Sequence, residues 1–262
     1  MELNQRPLSL QNPRLKLAAS LKQRKYRERH GLVLVEGERV IRQAVFYGAR
    51  FKYFLVHFGS ADPGALEAAY STGAELLPVD LDGLRKVSDT PAPQGLIGVA
   101  EAVPKDAELL DRAQWIIVAD RVRDPGNLGA LIRIGKAADV EGIVSTKGSA
   151  DLGHPRTIRA SAGGYFGLPH LEGPEPDVLA RRLINSGWRV VVAHAGAESD
   201  VFSFDWSGRI ALVIGNEAEG PHPAFHNVGD RVKIPMPGGI ESLNAAVAAG
   251  VIVYQAMHAR RP

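Results

Sequence analysis

Cysteine is absent from the chain. The protein therefore cannot contain a disulfide framework, a cysteine-ligated zinc site, an iron–sulfur cluster or a thiol nucleophile. Long apolar runs are also absent: no stretch approaches the roughly 18 consecutive apolar residues of a membrane span. The N-terminal MELNQRPLSLQNPRLK lacks the apolar core of a signal peptide. These features favour a protein of the reducing cytoplasm with no membrane partner.

A large excess of one charge is missing too, because 31 basic residues oppose 29 acidic ones. Overall charge therefore indicates no anionic partner. The local distribution differs, because residues 14–29 form a basic run in which Glu28 is the one acidic residue. The members of this run are Arg14, Lys16, Lys22, Arg24, Lys25, Arg27 and Arg29.

Leu15, Ala18 and Leu21 recur at helical spacing within the basic run. This pattern predicts one helix with an apolar stripe and a basic outer surface. A solvated helix face is the alternative interpretation. A run with such an excess of positive charge favours an anionic partner. We therefore predict that these seven side chains bind RNA phosphates.

Short apolar runs alternate with segments of helical composition along the whole chain. Residues 32–100 predict a small α/β domain. The polar segment 102–112 predicts a linker, and we place the boundary near Lys105, between domains 1–105 and 106–262. The second domain is predicted to contain a mostly parallel sheet covered on both faces. Its strands are predicted at WIIVA (115–119), GIVS (142–145), RVVVA (189–193) and IALVIG (210–215).

Several common catalytic motifs are missing. The chain has no G-x-G-x-x-G after a strand, no G-x-x-x-x-G-K-[ST], no H-E-x-x-H and no G-x-S-x-G. Dinucleotide-dependent chemistry, nucleotide hydrolysis, zinc proteolysis and esterase chemistry therefore lose support. His222 and His226 are the closest histidines, and we expect them in a surface loop, with no metal bound.

Three loops that follow predicted strands have the Gly, Pro and Asn content of ligand-binding turns. The first, 120–133, contains a predicted tight turn, Asn127 as predicted helix N-cap, and Arg133 almost two turns into that helix. The second, 212–223, contains Gly215, which we expect to allow a ligand to approach the backbone closely.

The third loop, 233–248, holds two prolines and two glycines before an apolar segment. Ser242 is predicted to cap the following helix, whose apolar wall Asn244 interrupts. Residues 242–257 are apolar nearly all round, so this helix is predicted to be buried on more than one side. A second subunit is one candidate to cover it.

Taken in order, DPGNLGALIR (124–133), VIGNEAEG (213–220) and IPMPGGIESLNAAVA (234–248) closely resemble the three signature motifs of the SpoU family of RNA 2′-O-ribose methyltransferases. RASAGGYFGLP (159–169) resembles the segment between the first two motifs. The first hundred residues resemble, more weakly, the small α/β substrate-binding domain of many family members.

The resemblance implies an α/β fold whose C-terminal parallel-sheet domain carries a deep trefoil knot, preceded by a small RNA-binding domain. It also implies a homodimer that binds S-adenosyl-L-methionine in the knot. By motif, the cofactor contacts are Gly215, Ile234, Met236 and Leu243. By motif, the catalytic residues are Asn127, Arg133, Glu217, Ser242 and Asn244.

The resemblance makes Arg133 the general base, but a guanidinium with a pKa above about 12 is a poor proton acceptor. We therefore interpret Arg133 as a positioning group that holds the adjacent phosphate and stabilises the developing alkoxide. Ribosomal RNA is the favoured substrate and transfer RNA the alternative. A non-catalytic RNA-binding assembly factor is the rival function, which the presence of every motif residue disfavours.

Overall fold

The computed structural model describes residues 6–261, and the chain forms two compact units. The first comprises residues up to Val103 together with Gly153–Gly167, and the second comprises Pro104–Leu152 and the residues from Leu168 onward. The sequence predicts a single boundary near Lys105. Residues 153–167 nevertheless pack with the first unit, although both flanking segments belong to the second.

The helices and strands alternate along most of the chain. The helices are α1 Pro13–Ser20, α2 Arg24–His30, α3 Glu38–Phe46, α4 Pro63–Ser71, α5 Leu81–Val87, α6 Leu109–Arg112, α7 Pro125–Ala137, α8 Pro155–Ala160, α9 Pro176–Asn185, α10 Pro223–His226 and α11 Ala245–Arg260. The strands are β1 Leu32–Glu36, β2 Phe51–Val56, β3 Glu75–Pro78, β4 Leu96–Glu101, β5 Trp115–Ala119, β6 Gly142–Ser145, β7 His170–Glu172, β8 Arg189–Ala193, β9 Ser199–Asp200, β10 Ile210–Ile214 and β11 Asp230–Lys233. Among residues 6–261, no helix is long and apolar enough to cross a bilayer.

The first unit is built on a four-stranded mixed sheet of order β1-β4-β2-β3. One face packs against α1 and α5, and Leu15 and Leu21 of the predicted apolar stripe are fully buried there with Leu34 and Leu55 of the sheet. Helices α3 and α4 pack against each other, and their buried residues lie outside this cluster. The sheet is therefore covered by helices on both faces.

The basic run forms two helices, so the prediction of a single helix over this segment is wrong. Arg27 explains the break, because its side chain turns inward and is only 5% exposed. Its Nη1 donates hydrogen bonds to the carbonyl oxygens of Leu21 at 2.7 Å and Lys22 at 2.8 Å. These carbonyls lie in the turn between α1 and α2, where the helical ladder leaves them without partners.

The second unit contains a seven-stranded sheet of order β7-β6-β5-β10-β8-β11-β9, in which every pairing is parallel. Helices α6, α9 and α10 bury one face in a single apolar cluster. Helices α7 and α11 pack together, and α7 lies against Ile117 of the other face. Because neighbouring parallel strands end at the same edge, the loops after β5, β10, β8 and β11 meet there.

Candidate active site

The loops at the carboxyl edge of the seven-stranded sheet enclose a cavity of about 500 Å³. All four predicted cofactor contacts line this cavity, namely Gly215, Ile234, Met236 and Leu243. Glu217 and Ser242 line it as well. The second and third predicted loops therefore converge on one site.

Helix α7 places Asn127 beside this cavity. The sequence predicts Asn127 as N-cap, but the structure corrects this: Asp124 caps the helix and accepts a 2.9 Å hydrogen bond from the backbone N of Asn127. Pro125 accounts for this earlier start, because its fixed φ and missing N–H suit the first helical position. The Asn127 side chain is therefore not needed for capping, and its Nδ2 donates to Glu217 Oε1 at 2.6 Å.

Asn244, and not the predicted Ser242, is the N-cap of α11. Its Oδ1 accepts hydrogen bonds from the backbone N of Ala246 at 2.9 Å and of Val247 at 3.3 Å. Its Nδ2 consequently points away from the helix and donates to Asn127 Oδ1 at 3.1 Å. Ser242 lies in the preceding loop and lines the cavity.

These contacts form a directed chain from Asn244 through Asn127 to Glu217. Each amide has only one orientation that satisfies both of its neighbours, because the capping oxygen of Asn244 must face N–H groups and the Glu217 carboxylate accepts a donor. The cap of α11 thus fixes the direction in which Asn127 presents its amide. We call these three residues the Asn–Asn–Glu chain.

Gly215 lines the cavity and also lies very close to another part of the protein's own backbone. A Cβ at this residue would lie 2.2 Å from the backbone N of Pro221 and 2.5 Å from the carbonyl carbon of Gly220. The close approach that needs glycine here is therefore to the protein's own backbone. Gly220 and Pro221 fold back against Gly215, and all three residues line the cavity.

Asn216, which the sequence analysis does not single out, holds the second loop in place. Asn216 is 6% exposed, and its Oδ1 accepts from the backbone N of Ala218 at 2.9 Å and of Glu219 at 3.0 Å. Its Nδ2 donates to the carbonyl oxygen of Arg121 at 3.0 Å. Asn216 belongs to the second motif, but the motif does not indicate that it bonds to the first loop.

Arg121 adopts a φ of 55°, the left-handed region that side chains other than glycine rarely occupy. Its guanidinium donates to Glu219 Oε2 at 2.8 Å and to the carbonyl oxygen of Gly220 at 3.0 Å. Arg123 also contacts Glu219, at 2.9 Å. The first loop is thus tied to the turn that carries Glu217, and the strained backbone marks a position fixed by its surroundings.

Asp120 anchors the base of the same loop and is fully buried. Its carboxylate accepts from Thr146 Oγ1 at 2.8 Å and from the backbone N of His222 at 2.6 Å. A buried charge needs such partners to offset its lost hydration. Asp120 therefore joins the ends of β5 and β6 to the last part of the second loop.

His222 and His226 both contact other parts of the protein. The expected surface loop is wrong, because His222 is the N-cap of α10 and His226 is its last residue. Nδ1 of His222 accepts from the backbone N of Ala224 at 3.2 Å. The ring of His226 packs edge-on against His194, with 5.0 Å between centroids. Burial, reinforced by His194 and Arg231, lowers the pKa of His226 and favours its neutral form. Residues 6–261 contain no cluster of three potential metal ligands.

Arg133 is not part of the Asn–Asn–Glu chain. It lies on the exposed surface of α7 and does not line the cavity. Within residues 6–261 its guanidinium makes no hydrogen bond and no ion pair. The side chain is therefore available to a partner from outside the chain.

The predicted RNA-binding side chains in the first unit have unequal surroundings. Arg27 is buried, as described above, and Lys22 is half-buried. Arg14 pairs with Glu75, and Arg24 pairs with Glu28 at 2.8 Å. Arg14 and Arg24 are exposed, as are the remaining three, Lys16, Lys25 and Arg29, which form no ion pair within residues 6–261.

Comparison with known proteins agrees with this geometry. The sequence model of the SpoU rRNA Methylase family matches residues 114–254, and that of the MRM3-like substrate binding domain matches residues 12–98. The 23S rRNA (guanosine(2553)-2′-O)-methyltransferase RlmP of Bacillus subtilis is 30% identical over 94% of this chain and 96% of its own length. The 23S rRNA (uridine(2479)-2′-O)-methyltransferase of Streptomyces viridochromogenes is 32% identical over 92% of this chain and 88% of its own.

Solved structures give the same result. The SpoU methyltransferase AviRb from Streptomyces viridochromogenes, solved in complex with the cofactor AdoMet, superposes with a TM-score of 0.84 at 31% identity, covering 95% of this chain and 98% of that one. The α/β fold with a parallel sheet in the second unit matches that of this structure. The chain therefore belongs to the SpoU rRNA methylase family of RNA 2′-O-methyltransferases, whose cofactor is S-adenosylmethionine.

Proposed function

We propose that this enzyme methylates a ribose 2′-hydroxyl of ribosomal RNA, and that the cavity and the Asn–Asn–Glu chain form its active site. The observation that carries this proposal is the hydrogen-bonded chain that ends on Glu217, a residue of the cavity wall. The names of the relatives, which act on 23S rRNA, support the substrate class.

The cavity suits S-adenosylmethionine. Its volume of about 500 Å³ lies within the usual range for small-molecule sites, about 300–1,000 Å³. Ile214, Val232 and Ile252 provide apolar walls for an adenine ring. The carboxylates of Glu217 and Glu241 in the same wall suit a positively charged sulfonium. Gly215, Ile234, Met236 and Leu243 would hold the cofactor, largely through backbone groups.

Bound S-adenosylmethionine supplies an electrophilic methyl group, so the protein must align the ribose oxygen with it. Asn127, Glu217 and Asn244 carry amide and carboxylate groups that can hydrogen-bond to a ribose, and their mutual contacts fix where these groups point. Ser242 lines the same cavity and can bind ligand or ribose through its hydroxyl. No metal is needed for a displacement of this kind.

Arg133 acts on the substrate in this proposal. Its guanidinium has no partner within residues 6–261, and it suits the phosphate next to the reacting ribose. There it stabilises negative charge that develops on the oxygen. The proton passes to phosphate or water, because a guanidinium does not accept it at neutral pH.

Helix α11 supports a homodimer. Val247, Val251 and Tyr254 lie at i, i+4 and i+7, and Val247 and Tyr254 are 54% and 47% exposed. A second copy of the chain would cover this stripe. We further propose that the segment from β8 to α11 forms the family's trefoil knot and that the enzyme works in the cytoplasm, where its proposed substrate would be made.

A methyl-transfer assay tests the function. The purified protein is incubated with labelled S-adenosylmethionine and 23S rRNA, and ribose methylation is then mapped by resistance to alkaline cleavage. We expect label at a 2′-hydroxyl and its loss in Asn127→Ala. Normal binding of both S-adenosylhomocysteine and rRNA without any transfer would instead identify a non-catalytic assembly factor.

A further inference from the structure

The outer face of α3 carries an unusually exposed aromatic ring. Phe46 is 77% exposed, more than any other large apolar side chain among residues 6–261. The inner face of the same helix is fixed in the core by Val40, Ile41 and Ala44. A single exposed apolar residue is unremarkable by itself, so its surroundings decide its meaning.

The ring of Phe46 stands on a rigid support. It packs edge-on against Tyr47, with 5.3 Å between ring centroids. Tyr47 is in turn pressed against Gly167, where a Cβ would lie 2.7 Å from the tyrosine ring. Phe46 is thus presented to solvent by a packed neighbour, which reduces the entropy lost when a ligand stacks on it.

Basic residues precede and follow Phe46 along the chain. Arg42 and Arg39 precede it by one and two helical turns on the same face. Arg42 pairs with Glu38 at 3.0 Å, whereas exposed Arg39 has no hydrogen bond or ion pair within the described part of the chain, 6–261. Arg50 and Lys52 follow in sequence and share Glu101.

We propose that this face, formed by Arg39, Arg42 and Phe46 and here called the α3 surface, binds an unpaired nucleotide of the RNA substrate. The base stacks on Phe46, and the arginines contact the flanking phosphates. The inference rests on the proposed function. A protein partner fits less well, because the apolar area is one ring set among arginines.

The α3 surface is separate from the basic run of residues 14–29. Helix α1 of that run packs with α5 in the apolar cluster on one face of the four-stranded sheet, whereas α3 packs with α4 outside this cluster. The basic run also has no fully exposed aromatic ring, because Tyr26 is partly buried against its cluster. We therefore expect the basic run to contact phosphates and the α3 surface to contact an unstacked base.

Binding of oligouridine, measured by fluorescence anisotropy, tests the proposal. Phe46→Ala should weaken binding at least about fivefold, the lower end for loss of one base–aromatic stack. The matched control is Tyr70→Ala, which removes an aromatic side chain 48% exposed on α4, where no Lys or Arg is present. It should leave the affinity unchanged. A fully paired RNA of equal length should not distinguish Phe46→Ala from wild type.

Phe46→Trp gives a second, direct measurement. The three native tryptophans, Trp115, Trp188 and Trp206, are all at most 5% exposed, so the added fluorescence reports on the α3 surface. Oligouridine should quench it while the affinity stays near wild type. Unchanged affinity in Phe46→Ala, or quenching only when the protein self-associates, would overturn the α3 surface. Absence of methyl transfer by the wild type would overturn the proposed function alone.

Discussion

Asn244 donates a hydrogen bond to Asn127 across 3.1 Å, although 117 residues separate them in sequence. The same Asn244 side chain caps α11 through its other amide atom. One residue therefore starts the last helix and also orients the group that contacts Glu217. This dual use links the folding of the C-terminal segment to the geometry of the candidate active site.

Asn244→Asp separates these two uses. Aspartate caps helices about as well as asparagine, so the free energy of unfolding should change little. Its carboxylate cannot donate to Asn127, and a flipped Asn127 amide would turn its oxygen toward the Glu217 carboxylate. We expect methyl transfer to fall by about tenfold or more, a loss of about 1.4 kcal/mol in transition-state stabilisation.

Asn244→Ala is the companion variant, because it removes both uses. Its free energy of unfolding should fall by about 1 kcal/mol, the typical value for a lost N-cap. Urea unfolding and initial methylation rates should be measured on both variants. Full activity of Asn244→Asp would remove the Asn–Asn–Glu chain from the mechanism.

Gly215→Ala should disrupt the second loop. The new Cβ would lie 2.2 Å from the backbone N of Pro221, so the chain must move. We expect loss of S-adenosylhomocysteine binding by calorimetry and a lower melting temperature. Gly238→Ala in the third loop is the control, because a Cβ there meets nothing within 4 Å. Wild-type affinity in Gly215→Ala would contradict the position of this loop.

Arg121→Lys tests the tie between the first two loops. Lysine keeps the charge but cannot reach both Glu219 and the carbonyl oxygen of Gly220 with a planar fork. We expect kcat to fall about tenfold as the turn carrying Glu217 loosens. Arg123→Lys is the matched control: Arg123 is 61% exposed, and within residues 6–261 its guanidinium pairs with Glu219 alone, so this pair contributes little. Equal kcat values for the two variants would argue against a positioning role for Arg121.

The apolar runs at 115–119 and 142–145 predicted β5 and β6 to the residue, because buried parallel strands are uniformly apolar. Strand β11 was missed, since Asp230–Lys233 has one apolar residue and charged neighbours. The prediction of Asn127 as cap did not use Pro125, whose preference for the first helical position makes Asp124 the cap. The left-handed Arg121 and the self-approach of Gly215 depend on contacts between distant segments, which no local pattern encodes.

The basic run can be tested with the exposed members that form no ion pair within residues 6–261. Reversing Lys16, Lys25 and Arg29 to glutamate should weaken RNA binding and lower the slope of log K against log salt by roughly 0.7–0.9 per lost phosphate contact. Cofactor affinity should not change. Arg27→Ala should instead destabilise the fold by about 1–3 kcal/mol, because the carbonyls of Leu21 and Lys22 lose their donor. If the salt slope of the triple variant equals that of the wild type, these side chains do not contact RNA and the run is only a solvated helix surface.

Arg133 distinguishes a positioning group from a general base. Arg133→Ala should leave S-adenosylhomocysteine affinity near wild type, because the side chain lies outside the cavity lining. Methyl transfer should fall by roughly 10² or more, the scale of losing one preorganised electrostatic donor. Arg181→Ala, at an exposed site on α9 across the sheet, is the control and should be fully active.

Arg133→Lys then tests whether the residue at position 133 accepts the proton. A lysine keeps the charge but loses the bidentate geometry, so a positioning role predicts activity well below wild type at neutral pH. Raising the pH toward the ordinary lysine pKa of about 10.4 would create a neutral amine able to accept a proton. If Arg133 only positions charge, this change should not rescue the rate, because a neutral amine stabilises an alkoxide less well than a cation. Full recovery at alkaline pH in a profile of single-turnover rates would establish a general base at this position.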